Sequence, residues 1–489
     1  MTSRAAGASY PGAEHDAILR SMVFPPGYVN PPARPRYHLI VIGAGPAGLI
    51  CALGAASLGA TVALVERQAM GGDCLNVGCI PSKALLEHSR SHGGRASFDA
   101  AFAWMRDVRA RIAVNDSVER YTGLGVDVFL GEATFVDDAT VQVHDRQLVG
   151  RRIVIATGAR PLVPDIPGLR DAAPLTNESI FDLQRAPDSL AIIGAGAVGC
   201  ELAQAFARMG IDVHLLDVAT RVLPTEIPQA SAVIANALLR AGVDLRLGVR
   251  VSRVDKLASN TRVDLGDDEI DVDRVLVAAG RAANVDSLNL DIAGVELTAD
   301  GLVAVDDYLR TSNRRIYAAG DVCSRQQFTH HADAQARIVL RNALFGPFRA
   351  ASTLVVPRCV YTDPELAHVG SSVATLEVRG VAFVRHRIDL TELDRGRAAD
   401  DREMFVELLV CPRKGRLLGA TIVAPGAGEL IVPVCIAMAA GLSLGQLGDM
   451  EFPYPTRSEF LRRAADRYNR TRLTPMVARL VRTWLRITR

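Results

Sequence analysis

The sequence reads as an α/β chain with two Rossmann-like units, and two observations carry that reading. Residues 37–66 and 189–217 each run strand, glycine loop, helix, strand and terminal carboxylate. The two loops, Gly43-Ala44-Gly45-Pro46-Ala47-Gly48 and Gly194-Ala195-Gly196-Ala197-Val198-Gly199, lie about 150 residues apart. A length of 489 residues with 49% apolar residues and a mean hydropathy of +0.16 suits about three domains with buried parallel strands.

Residues 1–36 hold six prolines and little periodicity beyond a turn of helix around residues 14–20. They are expected to form an extension that drapes over the body or stays mobile. The first unit follows. His38-Leu39-Ile40-Val41-Ile42 is a buried strand, an alanine-rich helix runs to Leu58, and residues 61–65 form a second strand ending in Glu66. Gly43, Gly45 and Gly48 allow the tight turn and the approach of a pyrophosphate to the helix N-terminus, and Glu66 can bond a ribose hydroxyl. Such a loop alone is weak evidence, but here its whole βαβ context is present.

Next comes Gly71-Gly72-Asp73-Cys74-Leu75-Asn76-Val77-Gly78-Cys79-Ile80-Pro81-Ser82-Lys83, leading into an apolar helical run over residues 84–89. Five residues of ideal helix rise roughly 7.5 Å, beyond the Cα separation of about 4.4–6.8 Å that a disulfide tolerates. A bridge from Cys74 to Cys79 therefore needs a non-ideal first turn, and Gly78 supplies the backbone freedom. A helix N-terminus favours a thiolate, and Lys83 shares the face of Cys79 one turn on. The pattern fits a pair that opens and closes. Two buried thiols or half of a zinc site are the simpler readings, although no second Cys or His pair at matching spacing stands nearby.

Residues 100–114 read as an amphipathic helix and 126–130, 131–135 and 141–143 as short strands. Residues 152–156 form a further strand, turning at Thr157-Gly158. In the second unit, residues 189–193 are a strand, 200–209 the helix and 211–216 the next strand, ending in Asp217. Two fingerprints mean two dinucleotides. A carboxylate at Asp217 accepts from a ribose 2′-hydroxyl and repels a 2′-phosphate, which favours NADH over NADPH.

A net charge of +1 implies no field for nucleic acid. The eight cysteines are scattered with one suggestive pair, so no secreted disulfide framework is expected. Glu14, His15, Asp16 and Arg20 interrupt any signal-peptide core, and the longest apolar stretch, 430–442, contains Pro433 and is too short to span a bilayer. The expected location is cytoplasmic.

Taken together, the cysteine motif and both fingerprints resemble the class I pyridine nucleotide-disulfide oxidoreductases, most closely the mercuric reductase and dihydrolipoamide dehydrogenase branch. The resemblance covers about residues 37–465 and implies an FAD domain in two parts (37–185 and 283–353) around an NAD domain (186–282). An α+β dimerisation domain (354–468) follows, then a basic amphipathic tail (469–489). It implies a homodimer, with FAD contacts at Gly72, Lys83, Gly131, Thr157, Gly158, Asp321 and Ala332 besides the first loop. Gly280-Arg281 resembles the turn that closes the NAD domain. Phe328-Thr329-His330-His331 begins a segment like the helix beneath the flavin. The two histidines there point in different directions on a helix, which argues against a metal.

In the mechanism so implied, NADH reduces the flavin, which opens the Cys74–Cys79 disulfide. Cys79 faces the flavin and Cys74 meets substrate. Lys83 lies near the flavin, and Glu201 matches the glutamate that pairs with that lysine. Disulfide-reducing members carry a His-Pro-Thr with a glutamate five residues after the histidine. Here Glu459 is in place, but Tyr454 stands where that histidine should be, and the Tyr454/Glu459 segment would complete the partner subunit's site. A phenol is a poor base at neutral pH, which argues against efficient disulfide turnover. Mercuric reductases resemble this Phe-Pro-Tyr segment, and a soft metal held by thiolates needs less proton shuttling. Yet no cysteine follows Cys435 and none precedes Cys51. The expectation is a mercuric-reductase-like enzyme acting on Hg(II) or a disulfide. The alternatives are a dihydrolipoamide dehydrogenase or low-molecular-weight disulfide reductase, and an electron donor to a membrane protein.

From Arg457 to Arg489 there are ten arginines and two acids. Met476, Val477, Leu480, Val481, Trp484 and Leu485 form one helical face, with Arg479, Arg482, Arg486 and Arg489 opposite. Such a helix suits an anionic membrane surface or a membrane partner. The simpler reading is a terminal helix packed on its own dimer.

Overall fold

Strands buried on both faces are apolar throughout rather than alternating, and Val62–Glu66 is buried at every position. It pairs in parallel with Tyr37–Ile42, which pairs in parallel with Arg146–Ile155 on its other side. The structure, a computed structural model, describes residues 10–92 and 97–489; residues 1–9 of the extension lie outside the described residues. It forms two units. One is the chain through Thr220 with Ala241–Leu354, the other Arg221–Arg240 with Val355–Arg489.

In the first unit, a seven-stranded sheet runs Val126–Leu130, Val62–Glu66, Tyr37–Ile42, Arg146–Ile155, Thr140–Val143, Ala133–Phe135. Its seventh strand, Ile316–Ala318, lies parallel to Arg146–Ile155. Helices Pro46–Ser57 and Thr329–Phe345 pack together over the sheet. The strand expected over 131–135 begins two residues late, because Gly131 at φ +153° still bonds back to Glu66 O at 2.8 Å.

A second, four-stranded parallel sheet has the order Asp244–Leu247, Asp212–Asp217, Ser189–Ile193, Arg274–Val277. The chain leaves the first sheet through Ala159–Pro161 and returns through Arg281–Ala283, and these two short strands pair antiparallel. One Rossmann-like unit is thus inserted into another.

The described part of the extension takes the draped course. Helix Ala13–Val23 buries Leu19 and Val23, and Val23 O accepts from Met70 N at 3.0 Å. Asp16 meets Arg109 at 2.8 Å and Arg106 at 3.3 Å on helix Phe98–Ala113.

The second unit is a five-stranded antiparallel sheet, Pro357–Val360, Glu365–Gly370, Leu417–Ala424, Phe405–Val410, Val384–Asp389. Helix Pro228–Arg240 lies against Leu417–Ala424, and Arg358 pairs with Glu226 at 2.5 Å. The apolar run after Gly428 is not one long helix. It splits into Ala427–Leu430 and Val432–Ala440, with Pro433 in the first turn of the second. Residue 469, where the tail was expected to begin, sits inside helix Phe460–Arg472. The last helix is Pro475–Ile487. Among the described residues no helix is long and apolar enough to cross a membrane.

Candidate active site

The two cysteines sit on either side of a helix break. Cys74 belongs to the short helix Gly72–Asn76 and Cys79 is the first residue of helix Cys79–Ser91, with Gly78 between them. The sequence asks for a distorted turn here, and the structure provides a complete interruption. A Cβ at Gly78 would stand 2.7 Å from Asp73 O, so only glycine lets the segment fold back this tightly.

Both cysteines are thiols and share a hydrogen bond. That bond, donated by Cys74, lowers the Cys79 thiol to about 6, and the Lys83 charge and a bond with Thr329 act in the same direction against burial. Giving the bond, together with burial, raises Cys74 far above the ordinary thiol range. The pair therefore carries one proton and one thiolate at neutral pH, with the charge on Cys79 at the helix N-terminus.

Lys83 Nζ bonds Glu201 Oε2 at 2.6 Å. Glu201 is buried on helix Ala197–Arg208, directly after the second glycine loop, and that helix packs on Cys79–Ser91. Thr329, at the start of helix Thr329–Phe345, places Oγ1 3.3 Å from Cys79 Sγ. Nothing in the residue pattern marks Thr329 beyond a hydroxyl close after the Gly320-Asp321 turn. Arg281, likewise unassigned, pairs with Asp73, lies 3.7 Å from Asp321 and donates to Ala159 O at 2.6 Å. Asp321 is pushed up to about 6 by burial, which Arg281 opposes while Asp73 and Cys79 add to it.

The two glycine loops are built alike. Ala44 N donates to Glu66 Oε2 at 2.7 Å and Ala195 N to Asp217 Oδ2 at 2.6 Å. A Cβ at Gly48 would sit 1.7 Å from Gly43 O, and one at Gly199 1.9 Å from Gly194 O. Both third glycines thus press the helix onto its strand. Gly45 and Gly196 instead face open space, with nothing nearer than Gly72 Cα at 3.8 Å for the first and nothing within 4 Å for the second. A dinucleotide fits both cradles, because the opening lies where a pyrophosphate must approach the helix end. Beside the first, Glu66, Gly131, Thr157, Asn284 and Leu288 line a small cavity next to the glycine loop, on the side where an adenosine half would lie. Thr157 Oγ1 bonds Asn284 O at 2.7 Å, Asn284 N bonds Gly158 O at 3.0 Å and Gly280 O accepts from Leu162 N at 3.0 Å, which fixes the cavity wall and the turn after it. Ala332 is buried against the Gly320 turn.

His331 is held by Gln335 at 3.0 Å, and among the described residues no cluster of three His, Cys, Asp or Glu could hold a metal. Tyr454 and Glu459 belong to the second unit. Tyr454 is 71% exposed and its hydroxyl donates to Asp394 at 2.9 Å, a bond that raises the phenol further. It is no better as a neutral-pH base than its residue type implies.

The family described as pyridine nucleotide-disulphide oxidoreductase matches residues 37–336, and its dimerisation domain matches residues 356–465. A mercuric reductase of Staphylococcus aureus is 35% identical over 447 residues, 88% of this chain and 82% of that protein. Dihydrolipoyl dehydrogenase 3 of Haloarcula marismortui is 32% identical over 459 residues, 87% of this chain and 95% of that protein. Among solved structures, the Cu(II) complex of the HOCl-induced flavoprotein disulfide reductase RclA from Escherichia coli is similar. It has a TM-score of 0.81 at 30% identity and covers 88% of this chain and 99% of that one. The chain belongs to the class I pyridine nucleotide-disulphide oxidoreductases and is an oxidoreductase of that family. Membership implies FAD and a pyridine nucleotide as cofactors.

Proposed function

We propose that this enzyme takes electrons from NADH and delivers them, through the Cys74–Cys79 pair, to a thiol-reactive acceptor, with soft metal ions such as Hg(II) ahead of disulfides. The observation that carries this reading is the placing of Cys74 and Cys79 on either side of a helix break, with Thr329 at 3.3 Å from Cys79 and the Lys83–Glu201 pair one turn on. FAD, when bound, supplies the two-electron relay between the nicotinamide and the cysteines. Gly43, Gly45, Gly48, Glu66, Gly72, Gly131, Thr157, Gly158, Asp321 and Ala332 would hold it, with Lys83 at its reacting end.

The chain's own part is charge placement. Lys83 stabilises the Cys79 thiolate and is itself fixed by Glu201. Cys74 holds the proton and releases it to solvent as its sulfur bonds the acceptor. Asp217 accepts two backbone N–H bonds, from Ala195 at 2.6 Å and Ala219 at 2.8 Å, so its oxygens are fixed where a ribose hydroxyl would donate. Arg221 donates to Pro224 O at 2.7 Å, and this engagement also favours NADH over NADPH. Gly194, Gly196, Gly199 and Gly280 would shape that nucleotide's site. The dimerisation domain supports a homodimer, in which Tyr454 and Glu459 would serve the partner subunit's site.

Tyr454 separates metal from disulfide acceptors. Reducing a disulfide releases a thiolate that must be protonated, and the phenol exchanges protons poorly near neutrality. A thiophilic metal needs two sulfur ligands; binding displaces the single Cys74 proton to solvent, and no leaving thiolate has to be protonated afterwards. The Cu(II) complex of a structural neighbour extends the candidate acceptors to Cu(II). The test is anaerobic NADH titration of the FAD-loaded enzyme, then Hg(II), Cu(II), lipoamide and glutathione disulfide as acceptors. A long-wavelength charge-transfer band, with NADH oxidation driven by a metal and not by the disulfides, is expected. Rapid lipoamide turnover would instead establish a disulfide reductase.

A further inference from the structure

We propose that helix Pro475–Ile487 is a peripheral anchor that lies along an anionic lipid surface. The helix has no buried residue. Met476, Leu480, Trp484, Leu485 and Ile487 are 59–75% exposed, far more than apolar side chains in a packed helix. Successive residues turn by roughly 100°, so these side chains, with Val477 and Val481, fill one half of the circumference. Arg479, Arg482 and Arg486 fill the middle of the other half, and Arg489 follows just beyond the last turn.

The charge pattern selects the occupant. No acidic residue stands between Leu473 and Arg489, so the polar face is uniformly cationic. Anionic headgroups complement such a face, while the apolar half with its central tryptophan enters the acyl boundary. A second copy of the helix could cover the apolar half but would leave the cationic half without a counter-charge. A stable protein interface also takes roughly 20–30 residues a side, more than this helix of 13 residues offers. The helix also lies beyond residue 465, where the match to the dimerisation domain ends. Its N-cap, Thr474 accepting from Val477 N at 3.3 Å with Pro475 at the first position, starts it as an element separate from Phe460–Arg472.

The test is flotation of the full-length, FAD-loaded enzyme with phosphatidylcholine vesicles, with and without phosphatidylglycerol, beside a variant truncated after Arg472. Light scattering on both gives the oligomeric state. The full chain is expected to float with anionic vesicles and less with neutral ones, the truncated chain with neither. Both should keep one oligomeric state and equal reduction by NADH. Arg482→Gln should weaken binding about fivefold, as loss of one surface-bound charge does, and Trp484→Ala should weaken it while leaving its salt dependence intact. Equal partitioning of full and truncated chains would overturn the proposal. So would dissociation of the oligomer on truncation, which would show the helix packed on a second copy.

Discussion

Lys83 Nζ and Glu201 Oε2 meet at 2.6 Å across 118 positions of sequence. The contact joins the cysteine helix to the helix that follows the second glycine loop, so a charge beside Cys79 is set from the nucleotide-binding half. Glu201 has 4% side-chain exposure and Lys83 34%, so the carboxylate is the desolvated partner. Glu201→Gln leaves Lys83 without its counter-charge. The expected cost is about 1–3 kcal/mol of stability in chemical denaturation, together with reduction of the cysteine pair by NADH about tenfold slower in stopped flow. Unchanged reduction would make the pair purely structural.

The Cys79 thiolate should disappear as pH falls through about 6. A folded thiol lowered from its ordinary range contributes stability that is full above that range and lost as pH falls through the folded value. In the reduced enzyme the charge-transfer absorbance should follow the same midpoint. Cys74→Ala removes the bond most responsible for the lowering and should move the midpoint up by about one pH unit. Thr329→Val should move it up by about half a unit, and Thr329→Ser should restore it. A midpoint indifferent to both positions would assign the thiolate to the helix N-terminus alone.

Tyr454→His tests whether the missing histidine sets acceptor choice. A general base of suitable pKa contributes about 10²–10⁴-fold. Lipoamide or glutathione disulfide turnover should therefore rise by at least about tenfold, with metal-driven NADH oxidation little changed. Steady-state kinetics on both acceptor classes decide it. A uniform change would remove Tyr454 from the explanation.

Asp217→Asn removes the charge and keeps a carbonyl oxygen for only one of Ala195 N and Ala219 N, the other then facing the amide NH2. The kcat/KM ratio of NADPH to NADH should rise by about tenfold or more, since the repulsion of a 2′-phosphate is lost. An unchanged ratio would place coenzyme choice elsewhere.

Asp16→Asn probes the N-terminal helix. Asp16 is 10% exposed and faces Arg106 and Arg109 at 1% and 4%. Arg109 also donates to Asn76 O at 2.8 Å, in the helix that carries Cys74. Removing one member of such a buried group costs about 3–5 kcal/mol, to be read as a lower Tm at fixed protein concentration. An unchanged Tm would show residues 10–36 to be dispensable for the redox segment.

Both glycine loops with their terminal acids, the cysteine motif and the order of the chain through the two Rossmann-like units are legible in the residue order. These are local: each loop works through residues within about thirty positions, and periodicity reports an element and its buried face. Lys83 and Glu201 were legible as individual residues because each lies beside a motif, through resemblance. The tertiary structure alone decided what surrounds the reacting sulfur. Thr329 reaches Cys79 across 250 positions, and Arg281 reaches Asp73 across 208. It also decided that helix Ala13–Val23 braces the cysteine segment through Asp16 and Arg109, and that the final helix stands with no side chain buried. A hydroxyl or guanidinium in a sequence does not reveal its partner. That partner is fixed only when helices and strands cross, and the crossing follows from the packing of apolar faces across the whole unit.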